Sequence, residues 1–127
     1  AACCALGRAT RATTPGASGV KINPPLLTAN NETVAAGEQA YGANCAVCHG
    51  AAAVTAAGSI APDLRYSGLL PFRGQWNGAV REGDRAQRGM PGFKASLTEE
   101  QTDAILAYVT KRANDEKAAQ EAVARPN

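Results

Sequence analysis

The pattern of apolar and polar positions changes near Asn31. Before it, Ala1 to Gly19 mixes Ala, Thr, Gly and Arg with no periodic apolar face. Pro24 and Pro25 then enforce an extended stretch ahead of Leu26 and Leu27. Residues 1–30 therefore read as an extended tail or interdomain linker, and residues 31–127 as the folded domain. Within that domain, Asn31 and Thr33 are N-cap candidates and Glu32 suits a first helical turn. Val34, Gly37, Ala40 and Tyr41 follow at helical spacing, which predicts a helix ending near Cys45.

Residues 50–70 hold Gly, Ala, Ser and Pro62 with no sustained period, the pattern of a long loop. Such a loop in a small domain is expected to be functional or to wrap a ligand. Trp76 and Val80, four apart, predict a short helix from about Pro71 to Glu82, with Gly83 just past its end. A second loop, 84–96, contains Gly89-Met90-Pro91-Gly92-Phe93. The last helix has the clearest start: Thr98-Glu99-Glu100-Gln101 reads as a capping box. Ala104, Ile105, Tyr108, Val109 and Arg112 then form one stripe. Residues 114–125 are polar and Ala-rich, a continuation with little to bury. No repeat or strand pattern is visible, so the fold class is all-α, with three to five helices.

Composition narrows the chemistry. The chain has 127 residues, of which only 5% are aromatic against 45% hydrophobic. A core this poor in large side chains fits either an Ala-rich bundle or a domain built around an apolar cofactor. The net charge of +2 is too balanced to imply a nucleic acid or an anionic membrane as partner. No apolar run is long enough to span a bilayer, and no segment reads as a signal peptide.

Cys45-Ala46-Val47-Cys48-His49 is the C-x-x-C-H pattern of covalent c-type haem attachment. Two cysteines three apart on a helical turn can each form a thioether to a haem vinyl group. The next residue, His49, then stands under the iron as an axial ligand. Other readings of the same residues are a zinc site, a redox dithiol and a plain disulfide. Zinc needs about four ligands, and the only other cysteines, Cys3 and Cys4, are adjacent in the tail. A dithiol would want a βαβ setting, and a disulfide leaves His49, the only histidine, without a role.

Met90 is the only methionine, 41 residues after His49 and flanked by Gly89 and Pro91. A thioether opposite the histidine suits electron transfer and fills both axial positions; the ordinary alternative is a core methionine. The Pro62 carbonyl is the expected acceptor for the second nitrogen of His49. Arg65, Tyr66 and Trp76 are candidates for haem propionate contacts, or else an ordinary surface charge and core aromatics. Arg73, Arg81, Arg85, Arg88 and Lys94 cluster around the second helix and the Met90 loop. They are expected to rim the haem edge and steer an acidic partner, or to be simply solvated.

Through these residues the chain resembles class I cytochrome c, from about residue 33 to 113. Gly37 followed four later by Tyr41 looks like that family's first helix, which crosses its last helix closely; Ile105 and Tyr108 are placed to receive it. A narrower likeness lies in Ile60-Ala61-Pro62-Asp63-Leu64-Arg65, Gly89-Met90-Pro91-Gly92-Phe93 and Leu97-Thr98-Glu99-Glu100-Gln101. These look like the C-terminal cytochrome domain of quinohaemoprotein alcohol dehydrogenases, periplasmic enzymes that use pyrroloquinoline quinone (PQQ). The resemblance implies one covalent haem c and a periplasmic electron-transfer domain, not itself an enzyme. Its donor would be a PQQ-dependent alcohol or sugar dehydrogenase domain or subunit, and its acceptor respiratory. The propeller domain of those enzymes has no counterpart here. A haem-based sensor or peroxidase-like enzyme with a labile Met90 is the alternative.

Overall fold

The computed structural model describes residues 21–125; Cys3 and Cys4 lie outside them. Four α-helices appear among these residues: α1 (Asn31–Asn44), α2 (Ala46–His49), α3 (Arg73–Val80) and α4 (Glu99–Ala124). Single 3₁₀ turns at Ala51–Ala53, Leu64–Tyr66 and Ala86–Arg88 punctuate the loops, and no strand is present among the described residues.

Helix α1 is capped by Asn30, one residue before Asn31 and three before Thr33, the expected positions, because its side chain reaches the Thr33 amide three residues on (2.8 Å). Its buried face is Val34, Gly37 and Tyr41, and it packs against α4. Gly37 is the contact point. A Cβ built there would collide with the Ala104 main-chain carbonyl and lie 3.0 Å from Tyr108 Cβ. Only glycine allows this approach. One turn on, the Tyr41 and Tyr108 rings meet with centroids 5.4 Å apart at 52°.

Helix α4 starts with the full capping box: Thr98 Oγ1 accepts from the Gln101 amide, and Gln101 Oε1 accepts from the Thr98 amide. The helix does not stop at Arg112 but runs on to Ala124, 26 residues in all. Its distal half buries Ala113 completely and turns Glu116 and Gln120 toward other parts of the chain. Residues 21–30 are extended and lie along this half. Ile22 is in the core, its amide donates to Gln120 Oε1 (3.2 Å), and Asn114 Nδ2 donates to the Pro25 carbonyl (2.9 Å).

Helix α3 is shorter than the spacing predicts at both ends. Phe72 offers no side-chain cap, and past Val80 the chain turns through Gly83 at φ 79°. Trp76, Ala79 and Val80 face the core. On the outside, Arg73 bridges α3 to α4 through Asp103 (2.7 and 2.9 Å) and Glu99 (3.4 Å).

Candidate functional site

Tyr41 positions the C-x-x-C-H segment. Its hydroxyl donates to the Gly50 carbonyl (2.7 Å), tying α1 to the residue just past His49. Burial pushes the Tyr41 phenol well above its ordinary range, with the charges of Cys45, Tyr108 and Asp63 acting in the same direction. Short helix α2 places Cys45 inside and Cys48 outside. Neither cysteine is in a disulfide. Burial pushes the Cys45 thiol up to about 11, with Cys48 adding to the shift.

His49 is buried, and its Nδ1 lies 2.9 Å from the Pro62 carbonyl. The carbonyl can only accept, so Nδ1 carries the proton and Nε2 is the nitrogen left with a lone pair. After His49 the backbone makes a tight reversal. Gly50 sits at φ 87°, and Ala52 and Ala53 follow at φ 57° and 61°, a region that non-glycine residues avoid. Arg112 holds this turn by donating to the Ala52 carbonyl (2.9 Å), and Ala53 is wholly buried.

The remaining candidates separate into two groups. Met90 is half-buried and packs against the core with Phe93; Trp76 is buried in the same core. Trp76 Nε1 is one of two buried side-chain polar atoms with no partner among the described residues, Asn77 Oδ1 being the other. Arg65 and Tyr66 instead have protein partners. The guanidinium, only 2% exposed, donates to Asp63 (2.7 and 3.0 Å) and to Glu116 (3.0 Å). Tyr66 Oη lies 3.5 Å from Glu116 and accepts from Gln120 Nε2 (3.0 Å). Burial alone would lower the Arg65 pKa, but the hydrogen bonds and charge of Asp63, with Glu116 and Tyr66, raise it above its ordinary value. Asp63, Glu116 and Gln120 were not singled out by the sequence pattern. Their signal is that Glu116 and Gln120 continue the Val109–Ala113 face of α4 at helical spacing.

Among the basic residues around the Met90 loop, Arg73 is paired as described, Arg81 Nε donates to the Leu97 carbonyl (3.3 Å) and Lys94 pairs with Glu82 (3.5 Å). Arg85 and Arg88 are exposed and form no ion pair with a described residue.

These features match the needs of a covalently bound haem. Two unpaired thiols precede a histidine whose ring is already fixed by one nitrogen, and a buried indole N–H lacks an acceptor among the described residues. Among the described residues no group of three or more His, Cys, Asp and Glu is arranged to hold a metal. The helical fold and this constellation define a cytochrome c domain. The match to known proteins agrees: residues 32–109 fit the family model described as "Cytochrome C oxidase, cbb3-type, subunit III", and the chain belongs to that cytochrome c family. Its cofactor is haem c, and it is an electron-transfer domain.

The relatives carry the narrower likeness. The chain is 39% identical over 92 residues to quinohemoprotein alcohol dehydrogenase ADH-IIG of Pseudomonas putida, covering 72% of this chain and 12% of that protein. It is 38% identical over 98 residues to ADH IIB of the same organism, covering 77% and 14%. With 1-butanol dehydrogenase (cytochrome c) of Thauera butanivorans it shares 37% over 92 residues, 72% of this chain and 12% of that one. The solved structure of ADHIIG from P. putida HK5 superposes with a TM-score of 0.65 at 36% identity, over 76% of this chain and 14% of that chain. The chain thus spans only about an eighth of the length of these relatives, and within them it corresponds to the cytochrome c domain.

Proposed function

We propose that the domain carries electrons from a PQQ-dependent alcohol or sugar dehydrogenase to a respiratory acceptor, through one haem held by Cys45, Cys48, His49 and Met90. When bound, the haem supplies a one-electron iron couple. Cys45 and Cys48 tether it through thioethers. His49 binds the iron through Nε2, and the Pro62 carbonyl fixes the ring and raises its basicity through Nδ1–H. Met90 would supply a thioether as the second protein ligand. A haem held by both His49 and Met90 would leave no place for a small molecule, which favours electron carriage over sensing or peroxidase chemistry. Trp76 donates its N–H to a propionate. Residues 31–127 form the cytochrome domain and 1–30 a tail or interdomain linker, seated along α4 from residue 21. The domain is periplasmic, like the dehydrogenases it resembles.

The observation that carries this reading is the His49–Pro62 contact: a buried histidine beside two unpaired cysteines, with one nitrogen anchored and the other left for a metal. The test begins with intact-mass measurement of the protein from a cytochrome c-maturing host, which should show one haem adduct. That adduct should be lost in Cys45→Ala/Cys48→Ala. The ferric spectrum should contain a Met–iron charge-transfer band that Met90→Ala abolishes, and the ferrous protein should not bind carbon monoxide at neutral pH. A stopped-flow experiment with a purified PQQ-dependent alcohol dehydrogenase plus its alcohol should reduce the haem. Absence of the adduct sinks the haem assignment to these cysteines. Ready carbon monoxide binding sinks the Met90 ligand, and failure of reduction sinks the donor.

A further inference from the structure

Pro62 accepts the His49 hydrogen bond, yet it is exposed, in a loop without regular structure immediately on its N-terminal side. An acceptor on a loose loop would not hold a histidine ring at a fixed angle. The loop's C-terminal side is different. Asp63 caps the following turn by accepting from the Arg65 amide (3.1 Å) and is bridged twice by the Arg65 guanidinium. That guanidinium reaches across to Glu116 on α4, 51 residues away in sequence. Glu116 Oε2 in turn accepts from Gln120 Nε2 (3.3 Å), which also donates to Tyr66.

From these contacts we infer that Asp63, Arg65 and Glu116 are positioning residues for the axial histidine: they clamp the Pro62 carbonyl to the long helix and so set the orientation and basicity of His49. This inference rests on the proposed role of His49 as iron ligand. Three observations argue for a clamp rather than a stray surface pair. The Arg65 side chain is 2% exposed, so its charge requires both carboxylates, whose own side chains are 14% and 10% exposed. The bridged acid is the immediate neighbour of the proline that touches His49. The anchor is on α4, which also receives α1 at Gly37 and pins the turn after His49 through Arg112, so the elements on both sides of His49 are referenced to one helix.

The chemistry gives a direction. A carbonyl held on Nδ1–H makes the imidazole a stronger donor and favours ferric iron. Loosening the clamp weakens that contact and raises the midpoint potential. Arg65→Lys keeps the charge but loses the bidentate fork, while Glu116→Gln keeps the acceptor shape without the charge. The haem-loaded protein would be compared as wild type, Arg65→Lys, Glu116→Ala and Glu116→Gln. The readouts are the midpoint potential, the hyperfine-shifted His49 ring signals in the ferric NMR spectrum, and the exchange rate of the His49 Nδ1 proton.

The expected result is at least tenfold faster Nδ1 proton exchange, shifted ring signals and a higher potential in Arg65→Lys and Glu116→Ala. Glu116→Gln should restore most of the ring signals and exchange protection. If Arg65→Lys folds, lowers thermal stability and leaves all three readouts at wild-type values, the network is only structural and the inference is overturned. Should Glu116→Ala fail to accumulate, Arg65→Lys decides the question. A wild-type protein without His49 ring signals at the iron would overturn the ligand reading instead, and is distinguished by that first spectrum.

Discussion

Gly37 lies against the main-chain carbonyl of Ala104 more closely than any side chain permits. The two longest helices therefore meet backbone to backbone, and the contact is rigid because a carbonyl cannot swing aside as a side-chain tip can. Gly37→Ala should destabilise the protein by about 1–3 kcal/mol, since forced repacking outweighs the gain in helix propensity. Gly42, in the same helix, has nothing within 4 Å of a built Cβ. Gly42→Ala should instead stabilise by roughly 0.5–1 kcal/mol. Denaturant midpoints of the two haem-loaded variants check the pair; equal effects would remove the close crossing as the cause.

Tyr41 makes the stability sensitive to alkali. Its phenol is held protonated in the fold, above the ordinary value of 10.0, chiefly by burial. The unfolded chain thus releases its proton first as pH rises. The contribution is fully present below about pH 10, the unfolded value, and is lost progressively above it. Tyr41→Phe should cost about 1 kcal/mol at pH 7 through the lost bond to Gly50, yet flatten the decline above pH 10. Thermal melts from pH 7 to 11.5 would show the two curves converging; parallel curves would rule Tyr41 out as the titrating group.

On the proposed contact with a propionate, Trp76→Phe removes a donor to a carboxylate. The ionised propionate is then less stabilised, so its pKa rises. The pH-dependent step in the midpoint potential should move to higher pH, with little change in far-ultraviolet circular dichroism. Potentiometric titration between pH 4 and 9 checks this, and an unmoved step assigns the Trp76 N–H elsewhere.

Arg85 and Arg88 are exposed cations beside Met90 that form no ion pair with a described residue. Replacing both with Ala should slow reduction by an acidic redox partner several-fold at 10 mM salt, and the difference should vanish near 0.5 M, where charges are screened within a few ångströms. Second-order rate constants against ionic strength measure it. A salt-independent rate in the wild type would show that these arginines do not steer the encounter.

Local signals were legible in the sequence where the physics is local. The Thr98–Gln101 box, the Gly37–Tyr41 spacing and the C-x-x-C-H segment each depend on residues within one or two turns, and the structure contains each element at that place. Asn30 shows the resolution of such reading: with two adjacent asparagines, only the reach to the Thr33 amide decides which one caps. Arg65 shows the limit. A buried arginine must find carboxylates, but nothing near residue 65 indicates that one of them is Glu116, because that contact exists only after α4 has packed. The 114–125 segment looked idle for the same reason. Its polar residues bury little of their own, and their partners are Pro25, Ile22, Arg65 and Tyr66, far away in the chain.

The pairing of α1 with α4 also sets an order of events. The helix leading into Cys45 has its main packing partner at the opposite end of the described chain, and Ile22 meets Gln120 across 98 residues. In a chain emerging from its N-terminus, Cys45 and Cys48 precede the helix against which α1 packs. In the closed fold the Cys45 thiol is sheltered and disinclined to ionise. On the proposed attachment, the helix that completes the α1–α4 seam is made after both cysteines, so an unfinished chain offers Cys45 and Cys48 in the open.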